Sequence, residues 1–456
     1  MNEGPPPVHA TLSGPVTWGR MVEPACPLPI DLSSHGYLQE EFFASGTARA
    51  FEAAGPLEPD GRWAVTPCEP APYRTRILVR RPSGGRPFSG TVLVEWLNVS
   101  GGLEAAADWA YLHEEILRRG HAYVAVSAQA FGVNGGVALL EAPDSARHGG
   151  LVAARPDRYG ALIHPGDRYS FDIFSQIGRA LRLVRSPAPL ARQHPARVVA
   201  MGESQSAFFL TTYVNAVHHG AEVYDGFLVH SRAGDAASLA GVPRGDPAVP
   251  RGARVRTDVR VPVLTFETET DLGPRLDFAP ARQPDTERVR TWEVAGTAHA
   301  DAYLVGPFAA MLGCGFAVND GPHHFVVQAA LDALVRWIAD GTPPPGTLPL
   351  ELASTAPPVI ARDHLGNALG GVRTPAVDVP VATLSGEAPQ GASDLCSLFG
   401  CTEPFDGATL TRLYGDAGSY RAAYEAALDE AVAAGVLLAA DRPALLAKAS
   451  GVAFPT

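Results

Sequence analysis

The sequence predicts an α/β fold in which a mostly parallel central sheet carries helices on both faces. Short apolar runs rich in β-branched residues, such as residues 91–97 and 121–127, recur along the middle of the chain. Between them lie stretches whose apolar residues repeat at helical spacing, such as residues 105–118. Strands that alternate with helices form parallel sheets, because each helix returns the chain to the start of the next strand.

Each element of this alternation has its own pattern. A strand is predicted where an apolar run is nearly continuous, since a strand covered on both faces has no polar side. A helix is predicted where an apolar stripe repeats every three or four residues. The predicted strands are residues 75–80, 91–97, 121–127, 197–201, 224–230, 262–267 and 288–294, and the predicted helices are residues 105–118, 174–184 and 327–338.

Composition divides the chain into three parts. Residues 1–70 are rich in proline and glycine and predict an N-terminal extension of irregular or edge-strand structure packed on the core. The core is expected over residues 71–342, with a long excursion at residues 131–168 that has little periodicity. Residues 343–456 predict a C-terminal appendage, helical over residues 408–450.

The overall composition excludes several classes of function. Apolar residues make up 46% and charged residues 18%, as in ordinary globular proteins. The net charge of −12 argues against nucleic-acid and anionic-membrane partners, because both select basic surfaces. No apolar run is long enough to span a bilayer, and residues 1–7 do not resemble a signal peptide. We expect a cytoplasmic protein that acts on a small molecule; its oligomeric state stays open.

The cysteines predict no metal site and no disulfide framework. Five cysteines are scattered along the chain, and none of their spacings resembles a zinc site. Reduced thiols are therefore expected, and no cofactor is expected. Cys396 and Cys401 are the pair that could form a bridge if the protein is exported.

One hexapeptide, residues 202–207, predicts a nucleophile. Ser204 lies between a β-branched run and an apolar helical stretch, in the pattern G-E-S-Q-S. Such a sharp strand-to-helix turn needs small residues two positions before and two after the serine, here Gly202 and Ser206. The usual second residue is glycine. The amides at the start of the following helix would face developing negative charge.

Two later loops supply the partners that a serine nucleophile needs. His299 follows the last predicted strand, and we predict that it is the base that takes the serine proton. A carboxylate should orient that histidine, and Asp271 is favoured over Glu269 by its place after the preceding strand. Glu267 is expected to lie within the strand. The order serine, acid, histidine is that of a known hydrolase fold.

The loop at residues 97–102 is predicted to help stabilise an oxyanion. The backbone N–H of Gln205 should be one donor, and that of Val99 or Ser100 the second, because nearby glycines allow close approach. Candidate substrate contacts are Asn98, Trp109, Phe131 and Tyr303; core packing is the alternative for the three aromatic residues. Weaker expectations are a turn-capping role for Asp301, a surface position for His323 and His324, and substrate contacts for Gln129, His164 and His230.

Four stretches resemble one protein family. Residues 94–102, 202–206, 296–301 and 362–371 are similar to α/β-hydrolases of the esterase type, and closer to the bacterial family known as "alpha/beta hydrolase domain" proteins. The likeness runs from about residue 30 to the C-terminus. It implies an α/β-hydrolase fold, a nucleophile at Ser204, a base at His299 and hydrolytic activity. It implies no particular substrate.

These patterns together predict a serine hydrolase that cleaves carboxylic esters through an acyl-enzyme. Two alternatives stay open at this point. The same three residues could serve an acyltransferase that excludes water. The fold could also belong to a catalytically silent binding protein, although a complete set of serine, acid and histidine argues against that reading.

Overall fold

The structure is a computed structural model that describes residues 8–26, 28, 30–136, 138–139, 149–183, 187–191 and 193–455. The chain folds into two compact units. We call the part that runs to His230, together with Gly234–Val263, the first unit. The second unit comprises Ser231–Ala233 and Leu264–Thr456. Each unit is described separately below.

The first unit contains seven strands, and helices connect β4 to β5, β5 to β6 and β6 to β7. Its strands are β1 (Thr11–Ser13), β2 (Tyr37–Ala53), β3 (Val65–Pro82), β4 (Thr91–Trp96), β5 (Ala122–Val126), β6 (Arg197–Glu203) and β7 (Gly226–His230). Its helices are α1 (Ala107–Arg119), α2 (Ala130–Asn134), α3 (Gly150–Ala154), α4 (Pro156–Tyr159), α5 (Ser170–Leu181), α6 (Gln205–Thr212) and α7 (His218–Ala221).

The strand order in the first unit is β1-β2-β3-β5-β4-β6-β7. The pairs β5–β4, β4–β6 and β6–β7 are parallel, and β4 is buried along its whole length. The strands β1, β2, β3 and β5 form antiparallel pairs. The predicted α/β class with a parallel central sheet is therefore confirmed, and the strands predicted at β4 to β7 are present.

The second unit contains the remaining elements. Its strands are β8 (Val263–Thr268, whose first residue closes the first unit), β9 (Val289–Val294), β10 (Leu352–Thr355), β11 (Pro358–Ile360), β12 (Ala382–Ser385) and β13 (Cys401–Pro404). Its helices are α8 (Glu269–Leu272), α9 (Ala302–Val305), α10 (His323–Asp340), α11 (Pro375–Asp378), α12 (Gly407–Tyr414), α13 (Ala417–Ala433) and α14 (Arg442–Ser450). The predicted helical C-terminal end is confirmed by α12 to α14.

The N-terminal region differs from the expectation of irregular structure. The strands β2 and β3 pair over 17 and 18 residues, so the boundary expected at residue 70 falls inside β3. Three prolines, Pro67, Pro70 and Pro72, make this stretch of β3 a poor strand by pattern. Pairing with β2 overrides that local preference, because strand propensity depends on cross-strand packing. The boundary expected at residue 342 lies inside the second unit.

Aromatic packing in the first unit fixes α6 against the sheet. The Trp96 ring at the end of β4 lies 5.2 Å from the ring of Phe209 in α6 and 4.9 Å from that of Phe174 in α5. All three residues are fully buried. Large buried aromatic groups contribute strongly to core stability, so the start of α6 is held in place.

The expectation of reduced thiols is wrong for two of the five cysteines, and the pair named as able to form a bridge, Cys396 and Cys401, is not the bridged one. Cys314 and Cys396 form a disulfide within the second unit, and Cys401 carries a free thiol in β13. The five-residue spacing between Cys396 and Cys401 gives no information about a partner 82 residues away along the chain. In the predicted excursion, residues 137 and 140–148 lie outside the described residues. Among the described helices, none has the length and apolar character needed to cross a membrane.

Candidate active site

Ser204 lies at a sharp turn between β6 and α6, as its sequence context predicts. Its backbone has φ 58° and ψ −120°, a conformation that residues other than glycine rarely adopt. The Ser204 N–H donates to the carbonyl of His230 at the end of β7, at 2.9 Å, and its own carbonyl accepts from Phe208 N–H at 3.1 Å. Strained serine backbone of this kind clusters at functional sites.

The small residues around Ser204 are explained by direct packing. A Cβ added to Gly202 would lie 2.9 Å from the Cβ of Ser206 and 3.1 Å from Leu210 Cδ1. Only glycine at position 202 leaves room for the turn of α6. Ser206 is fully buried, and its hydroxyl has no hydrogen-bond partner among the described residues. Serine is therefore small enough to replace the usual glycine here, and its hydroxyl does not reach the surface.

The predicted oxyanion donors have different environments. The N–H of Gln205, at the first position of α6, has no acceptor among the described residues. The N–H of Val99 instead donates to the side-chain oxygen of Gln205 at 3.3 Å, a long hydrogen bond. The N–H of Ser100 donates to Asn98 Oδ1 at 2.8 Å. Both candidates for the second donor are therefore engaged by amide side chains.

Asn98 positions this loop rather than lining an open surface. Its Nδ2 donates to the backbone carbonyl of Glu203 at 3.1 Å and to the Glu203 carboxylate at 3.3 Å. Its Oδ1 also accepts from the Ser100 hydroxyl at 2.7 Å. Asn98 thereby ties the loop after β4 to the last residue of β6, next to Ser204.

In the second unit, Asp271 and His299 form a buried pair. The His299 Nδ1 lies 2.6 Å from Asp271 Oδ1. The other carboxylate oxygen accepts the N–H and the hydroxyl of Thr268, at 2.6 and 2.8 Å, as a helix-capping pair around α8. Burial raises the pKa of Asp271, but the His299 ring and the Thr268 donors more than offset it, so the pKa is lowered overall.

Glu269 has a different set of partners. Its carboxylate accepts from the N–H groups of Gly296 and Gly386, at 2.6 and 3.0 Å, and pairs with Arg362 at 3.0 Å. Burial raises the pKa of Glu269, and Arg362 only partly offsets it. Glu269 therefore joins three loops of the second unit, while Asp271 contacts the histidine.

Three residues of this arrangement were not identified from the sequence. Thr268 holds Asp271, and the pattern T-x-x-D at residues 268–271 was the signal that could have found it. Thr270 accepts the His299 N–H at 3.1 Å and donates to the Gly386 carbonyl at 2.6 Å. Arg362 lies in the 362–371 stretch, which the sequence marks only by its family likeness.

The structure also shows where His323, Asp301 and Glu267 lie. His323 is fully buried, not on the surface: its Nδ1 contacts the Ala298 carbonyl at 3.1 Å and its ring stacks on Phe266. Asp301 caps α9 by accepting from Leu304 N–H, as expected. Glu267 lies inside β8 as expected, and burial raises its pKa well above the ordinary value.

The remaining candidate contacts are buried or half-buried. Trp109 is buried beneath the Arg80 guanidinium, 4.2 Å from its carbon to the ring centroid, and packs on Tyr123. Phe131 and Tyr303 are half-buried, and the Tyr303 ring stacks on His324. Gln129, His164 and His230 are all buried, with hydrogen bonds to Trp96, the Ala128 carbonyl and Asp108 respectively. Core packing thus accounts for Trp109.

One protein family matches nearly the whole chain. A model described as "Alpha/beta hydrolase domain" matches residues 7–447. The chain therefore belongs to the alpha/beta hydrolase domain family, and the expected α/β-hydrolase fold is confirmed. No curated protein sequence matches the chain. Among the described residues, no group of three or more potential ligand side chains could hold a metal ion.

Solved structures of hydrolases are similar to parts of the chain. An α/β serine hydrolase without a lid from Xanthomonas campestris is 10% identical, over 59% of this chain and 91% of that one, with a TM-score of 0.28. A CE15 glucuronoyl esterase from Teredinibacter turnerae is 12% identical, over 64% and 76%, with a TM-score of 0.30. An esterase from Rhizomucor miehei is 11% identical, over 65% and 85%, with a TM-score of 0.34. Values this low say nothing about the activity of this chain.

Proposed function

We propose that this protein is a serine hydrolase that cleaves carboxylic esters through an acyl-enzyme intermediate. The observation that carries the proposal is the strained turn at Ser204, where a partly exposed serine stands between a buried strand and the start of a helix. The Asp271–His299 pair and the membership of the alpha/beta hydrolase domain family support it. The proposal requires Ser204 and His299 to act on the same substrate.

The reaction would proceed in two balanced halves. Ser204 Oγ bonds to the ester carbonyl carbon while His299 Nε2 takes the hydroxyl proton. The carbonyl oxygen becomes an oxyanion that accepts from Gln205 N–H and from Val99 or Ser100 N–H. The bond to the alcohol oxygen then breaks, and His299 returns the proton to it. Water repeats these steps on the acyl-enzyme, releasing the carboxylic acid and the serine hydroxyl.

Asp271 would keep the imidazole in the tautomer that this reaction needs. With Nδ1 directed at Asp271, Nε2 is the ring nitrogen that exchanges a proton. Because the pKa of Asp271 is lowered, its carboxylate is ionised at neutral pH and can stabilise the imidazolium. Thr268 and Thr270 would act only through Asp271 and His299, as positioning residues.

A fluorophosphonate probe tests the nucleophile directly. We expect one covalent adduct, located at Ser204 by peptide mass spectrometry, and none with Ser204→Ala. The same substitution should lower ester turnover by roughly 10⁴- to 10⁶-fold. Ser206→Ala is the matched control, because Ser206 lies on the same turn but is buried. An adduct that is absent from the folded protein would favour a silent binding protein, and an adduct elsewhere would refute the assignment.

Product analysis separates hydrolysis from acyl transfer. p-Nitrophenyl esters of graded acyl length would be supplied with and without an alcohol acceptor. A serine esterase should release mainly the carboxylic acid in both cases. If the main product with the acceptor is a new ester, and little acid forms without it, the protein is an acyltransferase. The acyl length with the highest kcat/KM would give the substrate class.

A further inference from the structure

The first unit contains a cavity that lies far from Ser204. Its volume is about 510 Å³, it is partly open to the surface, and it is lined by the β2–β3 hairpin, α5, the end of α7 and the segment around residue 256. The helical stretch that begins at Gln205 continues through a π-helical turn, Tyr213–Val217, into α7. At 1.5 Å per helical residue, the cavity is about 20 Å from the Ser204 turn. It is therefore separate from the proposed ester site.

Four arginines line this cavity: Arg49, Arg62, Arg179 and Arg256. Arg256 pairs with Asp258 at 2.7 Å. In the described part of the chain, no carboxylate lies within ion-pair distance of the other three guanidinium groups. Arg62 donates to the Thr257 hydroxyl at 3.0 Å, and Arg179 donates to the carbonyls of Val8 and Ala221 at 3.1 Å. These acceptors are neutral, so the positive charges persist.

This concentration of charge is unusual for the chain that carries it. The sequence has 48 acidic against 36 basic residues, whereas arginines outnumber carboxylates on this wall. One carboxylate, Asp172, faces the cavity. It is already used by the Arg49 backbone N–H at 2.8 Å and by Gln176 Nε2 at 2.9 Å. Burial raises the pKa of Asp172, and its hydrogen bonds and the nearby charges of Arg179 and Arg49 offset this only in part.

Apolar side chains form a further part of the wall. Phe51 and Val65 are half-buried and contribute hydrophobic surface, and the indole of Trp63 beside them is 2% exposed. A wall of this kind suits a flat or aliphatic body, while guanidinium groups suit planar or tetrahedral anionic groups. The apolar side chains and the arginines together suit a ligand with an apolar body at one end and an anionic group at the other.

We propose that this cavity binds a small organic anion, with an apolar body against Phe51 beside Trp63 and a carboxylate or phosphate group held by Arg49, Arg62 and Arg179. The guanidinium donors match both kinds of anionic group in bidentate geometry. The ligand would occupy a site separate from the acyl group of the ester.

Calorimetric titration of the full chain tests the site. The probes are phenyl phosphate and benzoate, which distinguish the two anionic groups, with phenol as the neutral analogue and inorganic phosphate as the anion without a body. We expect saturable binding of at least one aromatic anion, much weaker binding of inorganic phosphate and none of phenol. Trp63→Phe should remove the accompanying change in tryptophan fluorescence.

The double variant Arg49→Gln/Arg62→Gln should raise the Kd by about 10-fold or more, since hydrogen bonds to charged groups are the strong ones. Both arginines are exposed, so the fold should be retained. Arg336→Gln, an exposed arginine of the second unit, is the control and should leave the Kd unchanged. The proposal is refuted if phenol binds as well as the anions, if neither aromatic anion binds at millimolar concentration, or if the double variant binds normally.

Discussion

Two buried Asp–His pairs, one in each unit, have nearly the same geometry. In the second unit, His299 Nδ1 lies 2.6 Å from Asp271 Oδ1. In the first unit, His230 Nδ1 lies 2.8 Å from Asp108 Oδ1. All four residues are at most 3% exposed. Neither the residue types nor the distances show which pair could serve a serine nucleophile.

The pairs differ at the second carboxylate oxygen. Asp271 Oδ2 accepts two hydrogen bonds from Thr268, whereas Asp108 Oδ2 has no hydrogen-bond partner among the described residues. Burial raises the pKa of Asp108 to about 8, while the pKa of Asp271 is lowered overall. Glu95 is also buried and lies beside Asp108. Burial is the main cause that raises the pKa of Glu95, and the nearby Asp108 charge is the second.

This difference bears on which pair could assist a serine nucleophile. An imidazolium needs an ionised carboxylate beside it, and ionisation in a buried place needs donors on both oxygens. Asp271 meets this condition and Asp108 does not. While the His230 side chain pairs with Asp108, its backbone carbonyl accepts the Ser204 N–H at 2.9 Å. It supports the backbone of the nucleophile turn.

The largest expected effect separates the two pairs by activity. Asp271→Asn should lower kcat by about 10⁴-fold, since the neutral amide favours the wrong imidazole tautomer. Asp108→Asn, the matched substitution in the other pair, should change kcat by less than about 10-fold. Steady-state rates with a p-nitrophenyl ester measure both. Equal losses in the two variants would contradict the comparison, and so would full activity of the Asp271 variant.

The next effect is expected from a substitution of Glu269, which should change the free energy of unfolding more than kcat. Glu269→Gln removes the fully buried charge that pairs with Arg362 and should lower the free energy of unfolding by about 3–5 kcal/mol. The kcat per folded molecule should stay within about 10-fold, because Glu269 does not contact His299. Urea unfolding and active-site titration measure the two quantities. A loss of kcat as large as that of Asp271→Asn would make Glu269 the acid.

Local patterns made the parallel strands and the Ser204 turn predictable. The buried strand β4 reads as a continuous apolar run, and Gly202 and Ser206 mark the turn because both positions must be small. The preference for Asp271 over Glu269 rested on position alone. The structure adds a physical reason, the Thr268 donors, which the T-x-x-D pattern had encoded.

Contacts between distant residues could not be predicted. Arg362 reaches Glu269 across 93 residues, and Cys314 pairs with Cys396 across 82. Neither side chain carries a local mark of its partner. The same holds for the length of β2, whose pairing with β3 outweighs the prolines of β3. Two buried Asp–His pairs likewise cannot be ranked until the donors around them are known.

The pH dependence of stability should also separate the pairs. A buried carboxyl group with a raised pKa binds its proton more tightly in the folded state, so stability falls as pH rises from about 4 to about 8. The Asp108 contribution is at most about 1.4 kcal/mol per pH unit. Unfolding free energies at pH 5, 6, 7 and 8 should therefore decline less steeply in Asp108→Asn than in the unmodified protein. Parallel declines would show that Asp108 does not hold the proton.

The smallest expected effect concerns the backbone N–H groups proposed to bind the oxyanion. In the structure, neutral side-chain amides accept hydrogen bonds from those of Val99 and Ser100. If Val99 N–H is an oxyanion donor, a substrate must displace the Gln205 side-chain oxygen that now accepts from it at 3.3 Å. Gln205→Ala removes this competitor and should raise kcat/KM by about 2- to 10-fold, the value of one ordinary hydrogen bond. Gln205→Glu should lower kcat/KM, because a carboxylate binds the N–H more strongly and repels the oxyanion. A decrease with Gln205→Ala would mean that the side chain assists the reaction, and Ser100 would then be the better candidate for the second donor.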